Sequence, residues 1–266
     1  MFSAIVDVVG PQVNPRGGNL LASGTGSCHP IRARTMIPIR DDQPRFSTPY
    51  LTYSLIGLNL LIYFFESALD PESFKTFLFQ FGMIPSHVTA LLSGSSRLSP
   101  VAVFLPAFTS MFLHGSWMHV IGNMWFLWIF GDNIEDYLGH FSYLVFYILS
   151  GVAAAFAQVV LNPASRVPTV GASGAIAGVL GAYFVLYPRA RVLTWFLFFF
   201  FYVPAWVMLG YWFVVQFLSG AASAVTYAGE NRGGVAFWAH VGGFIAGIVL
   251  IKLFPERPRR YRYGTW

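Results

Sequence analysis

The sequence predicts an all-α membrane protein built as a bundle of six transmembrane helices. Only 10% of its 266 residues are charged and 56% are hydrophobic, whereas about 25% are charged in a typical soluble domain. Each of six apolar stretches is near or above the ~17–25 residues that a spanning helix needs. They lie at 48–66, 109–130, 140–161, 171–187, 192–218 and 235–254.

The basic residues predict how these stretches are oriented. Of the 16 Lys and Arg residues, 12 lie before the first stretch, after the sixth, or between the fourth and fifth. The side richer in Lys and Arg is normally cytoplasmic. We therefore expect both termini in the cytoplasm and the protein in the inner or plasma membrane of a prokaryote. This bias accounts for the net charge of +5 without a basic groove for nucleic acid, and it favours contact with membrane lipids.

Composition also predicts the domain boundaries. The first 35 residues are rich in Gly and Pro and lack sustained helical periodicity. We expect a disordered cytoplasmic leader over 1–46, a six-helix domain over 47–254 and a basic cytoplasmic tail over 255–266. Cys28 is the only cysteine, so no intramolecular disulfide or cysteine metal cluster can form. The sequence does not indicate an oligomeric state.

Two polar residues in apolar stretches are the candidates for chemistry. Ser173 lies at the start of the fourth stretch and His240 about five residues into the sixth. Both stretches run from outside to inside, so the two side chains share one depth near the outer surface. A histidine can activate a serine hydroxyl as a nucleophile by accepting its proton. Ser173 as a packing residue and His240 as a satisfied core histidine are the alternatives, and the shared depth favours the reactive pair.

Small residues support close packing of these two helices. Of the twelve residues from Gly171 to Ala182, nine are Gly, Ala or Ser. In the sixth stretch, Gly243 and Gly247 share a helix face with His240. Small residues let helix backbones approach closely within a membrane. The pattern therefore predicts that the sixth helix packs against the fourth, with His240 beside Ser173.

Acyl transfer also needs hydrogen-bond donors for an oxyanion. His119 and Asn123 are four residues apart in the second stretch and so share one helix face. They can supply side-chain N–H groups, together with the backbone N–H of Ser173 in the first turn of its helix. The alternative for Asn123 is a purely structural hydrogen bond between helices.

A carboxylate partner for the histidine is not predicted. The acidic residues Asp132, Glu135 and Asp136 lie at the far end of the second stretch, where we expect them to tie the turn into the third. We expect a Ser–His dyad, with His240 oriented by packing and by water or backbone contacts. His114 and His119 fall on different helix faces and no HExxH motif is present. We therefore expect no metal and no cofactor.

Four motifs resemble those of the rhomboid family of intramembrane serine proteases, over about Met36 to Phe254. GxSG appears as 171–174, AHxxGxxxG as 239–247, HxxxN as 119–123 and ExxxG as 135–139. The resemblance implies that Ser173 and His240 are catalytic. It places His119, Asn123 and Gly171 in the oxyanion and substrate-binding site.

The resemblance also implies the substrate. The expected reaction is hydrolysis of a peptide bond in or beside a transmembrane helix of a membrane-protein substrate, at small residues in a locally unwound segment. The rivals are a catalytically silent rhomboid-like protein that binds membrane clients, and a small transporter or channel. A silent protein would most simply have lost Ser173 or His240, and a transporter would favour buried carboxylates or broken helices at the midplane.

Two departures from the family pattern carry further expectations. Leu105-Pro106-Ala107 stands where many members have Trp-Arg in the first external loop. Ala177 stands where some members have a tyrosine that stacks on the histidine, so we expect Phe237 or Trp238 to hold His240. We also expect the substrate gate to border the fifth helix. Its bulky rim would be 198–202, next to a helix weakened by Pro204.

Overall fold

The computed structural model describes residues 37–226 and 236–257, and this part of the chain is predominantly helical. Six helices of 14 to 22 residues overlap the six predicted stretches, and shorter helices lie between the first two of them. The helices are α1 (Tyr50–Ser67), α2 (Pro71–Phe81), α3 (Pro85–Leu92), α4 (Pro100–Phe104), α5 (Pro106–Thr109), α6 (Trp117–Leu138), α7 (His140–Leu161), α8 (Ser173–Leu186), α9 (Ala205–Thr226) and α10 (Phe237–Leu250). The strands are β1 (Ile37–Arg40), β2 (Arg191–Phe196) and β3 (Phe199–Pro204).

The helices differ in whether each one alone is long enough to cross a membrane. In the described part of the chain, α7 and the segment Ala205–Ser223 of α9 are long and apolar enough to span alone. The segment Pro100–Phe112 and α6 form a bent pair with a 75° angle. Helices α8 and α10 are apolar but have only 14 residues each. Helix α8 is the most enclosed of the long helices, with 11 of its 14 residues buried, and each of these two short helices carries one candidate catalytic residue.

Close contact between α8 and α10 confirms the predicted packing of small residues. A Cβ on Gly243 would lie 2.1 Å from the backbone oxygen of Gly174, and one on Gly247 would lie 1.9 Å from that of Gly178. No side chain fits at these positions, so the two backbones touch directly. We call this contact the glycine seam.

The glycine seam leads to a prediction with a matched control. Gly247→Ala should lower stability by about 1–3 kcal/mol, the usual cost of overpacking, and should weaken the contact between Ser173 and His240. Gly57→Ala in α1 should be neutral or slightly stabilising, because nothing lies within 4 Å of the added methyl group and alanine favours a helix. Melting temperatures in detergent measure both effects. Equal stability of the two variants would contradict the assigned role of the seam.

The predicted helical bundle is confirmed, but it also contains a three-stranded antiparallel sheet of order β1-β2-β3, which the sequence analysis did not predict. The predicted fifth span, 192–218, begins as a hairpin of β2 and β3, and α9 starts only after it. Apolar composition does not distinguish a strand from a helix in such a run, and the aromatic and β-branched residues here favour a strand. Pro204 ends β3 and therefore does not weaken a helix, so this basis for the predicted gate is wrong.

Strand β1 also corrects the boundary of the predicted leader. The Asp41 carboxylate accepts a hydrogen bond from the Tyr183 hydroxyl. Asp42 accepts from the backbone N–H of Arg191 at 2.8 Å and from its Nε at 2.9 Å. Residues 37–46 therefore belong to the folded domain. The rest of the predicted leader, 1–36, lies outside the described residues, as does most of the predicted tail, 258–266.

Glu135 ties three helices together at the end of the bundle opposite Ser173. Its buried carboxylate accepts from the backbone N–H groups of Leu51 and Thr52 at 2.9 and 2.7 Å, and contacts His140 Nδ1 at 2.6 Å. It thus joins the first turn of α1 to the α6–α7 turn. The sequence predicted the link to the turn but not the link to α1.

Two shortened proteins test the boundary at β1. A chain that begins at Met36 should keep the full melting temperature and activity. A chain that begins at Phe46 should lose about 2 kcal/mol of stability or more, since it lacks β1 and the hydrogen bonds of both aspartates; the largely exposed Asp42–Arg191 ion pair adds little to this loss. Thermal melts of both proteins measure the difference. A large loss in the Met36 protein would show instead that residues before Met36 pack on the domain.

Candidate active site

Ser173 and His240 meet at the outer end of the glycine seam. Ser173 is the first residue of α8 and His240 is the fourth residue of α10. His240 Nε2 lies 2.8 Å from Ser173 Oγ. The two residues are 9% and 3% exposed, so this contact lies in a largely water-excluded site. The structure thus brings together the two residues that the sequence selected.

A third residue, Gln216, holds the other side of the imidazole. Gln216 Oε1 lies 2.7 Å from His240 Nδ1, and Gln216 is fully buried on α9. An amide oxygen can only accept a hydrogen bond. His240 Nδ1 therefore carries the imidazole proton and donates a hydrogen bond to Gln216. Nε2 is then free to accept from the Ser173 hydroxyl, which is the tautomer that a general base requires.

Sequence reasoning missed Gln216, although a signal was present. It is the only amide or charged side chain between Ala205 and Ala222. A strongly polar residue in such a segment is a functional candidate by default. The expectation that His240 is oriented only by packing and by water or backbone contacts is therefore wrong, because a side-chain amide orients it.

The aromatic neighbour of His240 also differs from the expected one. The Trp212 ring lies 5.9 Å from the imidazole centroid at an interplanar angle of 34°. Trp238, one of the two expected residues, packs edge-on against Phe217 instead. Trp212 and Gln216 are four residues apart and share one face of α9. Helix α9 therefore holds His240 with both a ring and an amide.

The predicted oxyanion residues converge beside Ser173. Asn123 is fully buried, and its Nδ2 lies 3.0 Å from His114 Nε2. The ring of His119 packs edge-on against that of His114, with the centroids 5.0 Å apart. An amide nitrogen carries two protons, so the contact with His114 fixes the orientation of the Asn123 amide and leaves its second N–H available.

Gly171 lies at the site, but its backbone N–H is already used. This N–H donates to the Ser110 carbonyl at 2.9 Å, so it is not a donor for an oxyanion. A Cβ at this position would lie 2.7 Å from two ring atoms of His119, and φ is +124°, a conformation suited to glycine. Its contribution is space for His119. The backbone N–H of Ser173, in the first turn of α8, is the remaining backbone donor.

Glu66 fixes the segment that carries His114, and the sequence did not single it out. Glu66 is fully buried near the end of α1, and its Oε2 accepts from the backbone N–H of His114 at 3.1 Å. Tyr63, one turn earlier, packs edge-on against the His114 ring. The orientation of Asn123 therefore depends on α1 through His114.

The first external loop is fastened without the Trp-Arg pair. Thr109 Oγ1 donates to the Phe81 carbonyl at 2.7 Å, which joins α5 to the end of α2. Met83 forms an antiparallel bridge with Thr169, just before the serine motif. These contacts hold the loop at the end of the bundle that carries Ser173.

One of two cavities borders the Ser173–His240 dyad, and the other lies away from it. One of about 20 Å³, bordered by Ser173, Gly151, Ala154 and Ala239, has room for about one water molecule. The other, about 550 Å³, lies between α1 and α2 and is lined by apolar side chains and Thr109. It has no titratable lining residue, so only the small cavity is a candidate for chemistry. The described residues contain no group of three His, Cys, Asp or Glu side chains suited to a metal ion.

Comparison with known proteins identifies the family. The Rhomboid domain model matches residues 102–257, more than half of the chain. The chain belongs to the rhomboid family. It is 28% identical to "Rhomboid protein 1, mitochondrial" of Saccharomyces cerevisiae over 81% of this chain and 58% of that protein.

Two further relatives extend this comparison. The chain is 28% identical to "Rhomboid-like protein 11, chloroplastic" of Arabidopsis thaliana, over 56% of this chain and 52% of that protein. It is 32% identical to "Presenilin-associated rhomboid-like protein A, mitochondrial" of Danio rerio, over 54% of this chain and 36% of that protein. The chain thus spans between about one third and three fifths of the length of these relatives. As a rhomboid-family protein with apolar helices, it is an integral membrane protein.

The position of Gln216 leads to a kinetic prediction. Gln216→Leu removes the acceptor for His240 Nδ1 and should lower kcat about 10–100-fold, the equivalent of about 1–3 kcal/mol for a lost buried hydrogen bond. KM should change little, since Gln216 acts through His240. Gln216→Glu keeps an acceptor oxygen at the same reach and should recover most of the lost rate. Wild-type kcat in the leucine variant would exclude a positioning role for Gln216.

Proposed function

We propose that this protein is an intramembrane serine endopeptidase that cleaves transmembrane segments of membrane proteins with a Ser173–His240 dyad. The observation that carries the proposal is the 2.8 Å contact between Ser173 Oγ and His240 Nε2. The contact of Gln216 with His240 Nδ1 also supports the proposal. It fixes the imidazole tautomer in which Nε2 can accept a proton, as a general base must. Neither a metal nor a cofactor is needed for this chemistry.

The first half of the reaction forms an acyl-enzyme. Ser173 Oγ attacks the substrate carbonyl carbon while His240 Nε2 takes the hydroxyl proton. The oxyanion receives hydrogen bonds from the Asn123 amide, the His119 ring and the backbone N–H of Ser173. The imidazolium gives its proton to the leaving nitrogen, and the peptide C–N bond breaks.

The second half uses one water molecule. His240 Nε2 takes a proton from the water, whose oxygen attacks the acyl carbon. The bond to Ser173 Oγ breaks, the proton returns to the serine, and the carboxylic acid product leaves. The cavity of about 20 Å³ beside Ser173 is large enough for one water molecule.

The substrate class follows from the surroundings of the dyad. Most residues that line the cavity beside Ser173 have small side chains, among them Gly151, Ala154 and Gly174. A residue with a small side chain at the cut fits this space, and its segment must be locally unwound to expose a carbonyl. We also propose that both termini face the cytoplasm of a prokaryotic cell, because the basic residues cluster on the side of the termini; the dyad would then lie near the outer surface.

Covalent labelling and cleavage test the proposal together. A fluorophosphonate probe should label the wild-type protein and fail to label Ser173→Ala or His240→Ala. In vesicles, the wild-type protein should cleave a single-span model peptide near its external end, and both variants should lose at least about 10³-fold in rate. Helix-breaking Gly residues beyond the cut should speed cleavage.

The contrary results are equally specific. Equal labelling of Ser173→Ala would exclude Ser173 as the nucleophile. A wild-type protein that binds the peptide but neither cleaves it nor reacts with the probe would support a silent client-binding protein. Product termini at the cytoplasmic end, read by mass spectrometry, would overturn the assigned orientation.

A further inference from the structure

The larger cavity, of about 550 Å³, separates α1 from α2. Only residues 68–70 join these two helices, yet the helices have no extensive packing contact with each other in the described part of the chain. They meet where the rings of Phe65 and Phe77 pack edge-on, with the centroids 5.8 Å apart. Protein interiors normally leave few voids larger than a water molecule. The two helices therefore face each other across a gap that their own side chains do not fill.

The walls of this cavity are apolar. Nine of its ten lining residues carry apolar side chains, and the tenth is Thr109. The Thr109 hydroxyl already donates its proton to the Phe81 carbonyl at 2.7 Å. A buried water molecule needs two to four polar partners, and apolar cavities stay dry. The cavity therefore suits an apolar occupant and neither water nor a polar ligand.

The cavity opens onto the outward face of α1. Leu61 and Phe65 line the cavity and are still 68% and 55% exposed. Leu58, 43% exposed, continues the same helix face one turn earlier. In contrast, Leu113 on the opposite wall is only 3% exposed. Exposed apolar faces of an integral membrane protein contact lipid, so the cavity is an inlet that is continuous with the lipid-facing surface of α1.

The dimensions of the cavity distinguish between apolar occupants. The contact between Phe65 and Phe77 holds the two helices together at one border of the gap. An additional helix, about 10–12 Å across with its side chains, does not fit between helices that touch there. A hydrocarbon chain is only about 4–5 Å wide at normal carbon–carbon contact distances. The volume is also within the range of about 300–1,000 Å³ that is typical of small-molecule sites.

We propose that this cavity is a binding site for one acyl chain of a phospholipid from the surrounding membrane. The chain enters beside Leu61 and Phe64 on α1, passes the Phe77 ring on α2, and reaches Leu113 at the inner wall. The headgroup stays outside the cavity with those of the bilayer. Binding of the chain does not depend on whether the protein hydrolyses peptides.

The bound chain contacts a segment that leads into the candidate active site. Leu113 directly precedes His114, whose backbone N–H donates to Glu66 Oε2 at 3.1 Å. At the start of the same segment, the Ser110 carbonyl accepts from the backbone N–H of Gly171 at 2.9 Å. The chain packs against this segment from the lipid side, while Glu66 and Gly171 hold it from the protein side. Occupancy of the cavity therefore stabilises the folded bundle.

Photolabelling tests the site in a membrane. The wild-type protein is placed in vesicles of phosphatidylcholine that carries a diazirine on one acyl chain, and is then irradiated. Mass spectrometry should locate adducts at Leu113, because a buried residue is reached only by a chain inside the cavity. Ala68 lines the cavity, so Ala68→Trp places a large ring in it and should lower this labelling at least about fivefold. The matched control is Ala102→Trp, the same substitution at an exposed position of α4 outside the cavity, which should label like the wild-type protein.

A thermal melt tests the stabilising contact separately. Each protein is purified in a short-chain detergent, and phosphatidylcholine is then added. The melting temperatures of the wild-type protein and of Ala102→Trp should rise by about 3 °C or more, since a ligand that binds only the folded state stabilises it. The melting temperature of Ala68→Trp should not respond, because its cavity is already filled.

Three results would contradict the inference. Adducts confined to exposed residues of the wild-type protein, with none at Leu113, would show that no chain enters the cavity. Equal labelling of Leu113 in the wild-type protein and in Ala68→Trp would place the labelling chain outside the cavity. Equal melting shifts in all three proteins would show that the lipid stabilises the bundle at another surface.

Discussion

The direct backbone contact between α8 and α10 is the constraint on which the site depends. Ser173 and His240 sit in the first turns of two separate helices, so their 2.8 Å contact exists only if the helices run side by side at the shortest possible distance. Gly243 and Gly247 permit this distance because a Cβ at either would overlap a carbonyl oxygen of α8. In a membrane, such packing replaces the hydrophobic effect as the force between helices. The same glycines therefore provide stability and place the base beside the nucleophile.

Helix α9 links the catalytic histidine to the edge of the bundle. Its inner face carries Trp212 and Gln216, which orient His240, while its outer face carries exposed aromatic residues such as Trp206 and Tyr211. A displacement of α9 to admit a substrate would also move the acceptor for His240 Nδ1. In the proposed reaction, His240 keeps the required tautomer only while the turn of α9 that contains Gln216 stays in place. The hydrogen bond thus couples the closed position of α9 to the reactive tautomer.

The sequence predicts much of the site because its signals are local or set by membrane depth. Ser173, His240 and Asn123 stand out as polar residues in apolar runs, and each lies in a motif that resembles one of the family's motifs. The contacts of Gln216 and Glu66 are long-range, and nothing local to either residue indicates which partner it meets across the bundle. The hairpin was missed for a different reason. A run such as 192–203 has the composition of a membrane helix, and only pairing with β1, about 155 residues earlier, makes a strand the better solution.

The sheet presents a physical difficulty that its surroundings resolve in part. Unpaired backbone groups are costly at membrane depth, so open sheet edges are normally avoided there. The outer edge of β1 faces α6, and the Trp125 side chain satisfies the Pro38 carbonyl. At the other edge, Pro204 has no N–H to leave unpaired, and α9 begins at the next residue. The proline at the end of the strand and its direct continuation into a helix thus limit the unpaired backbone groups at this edge.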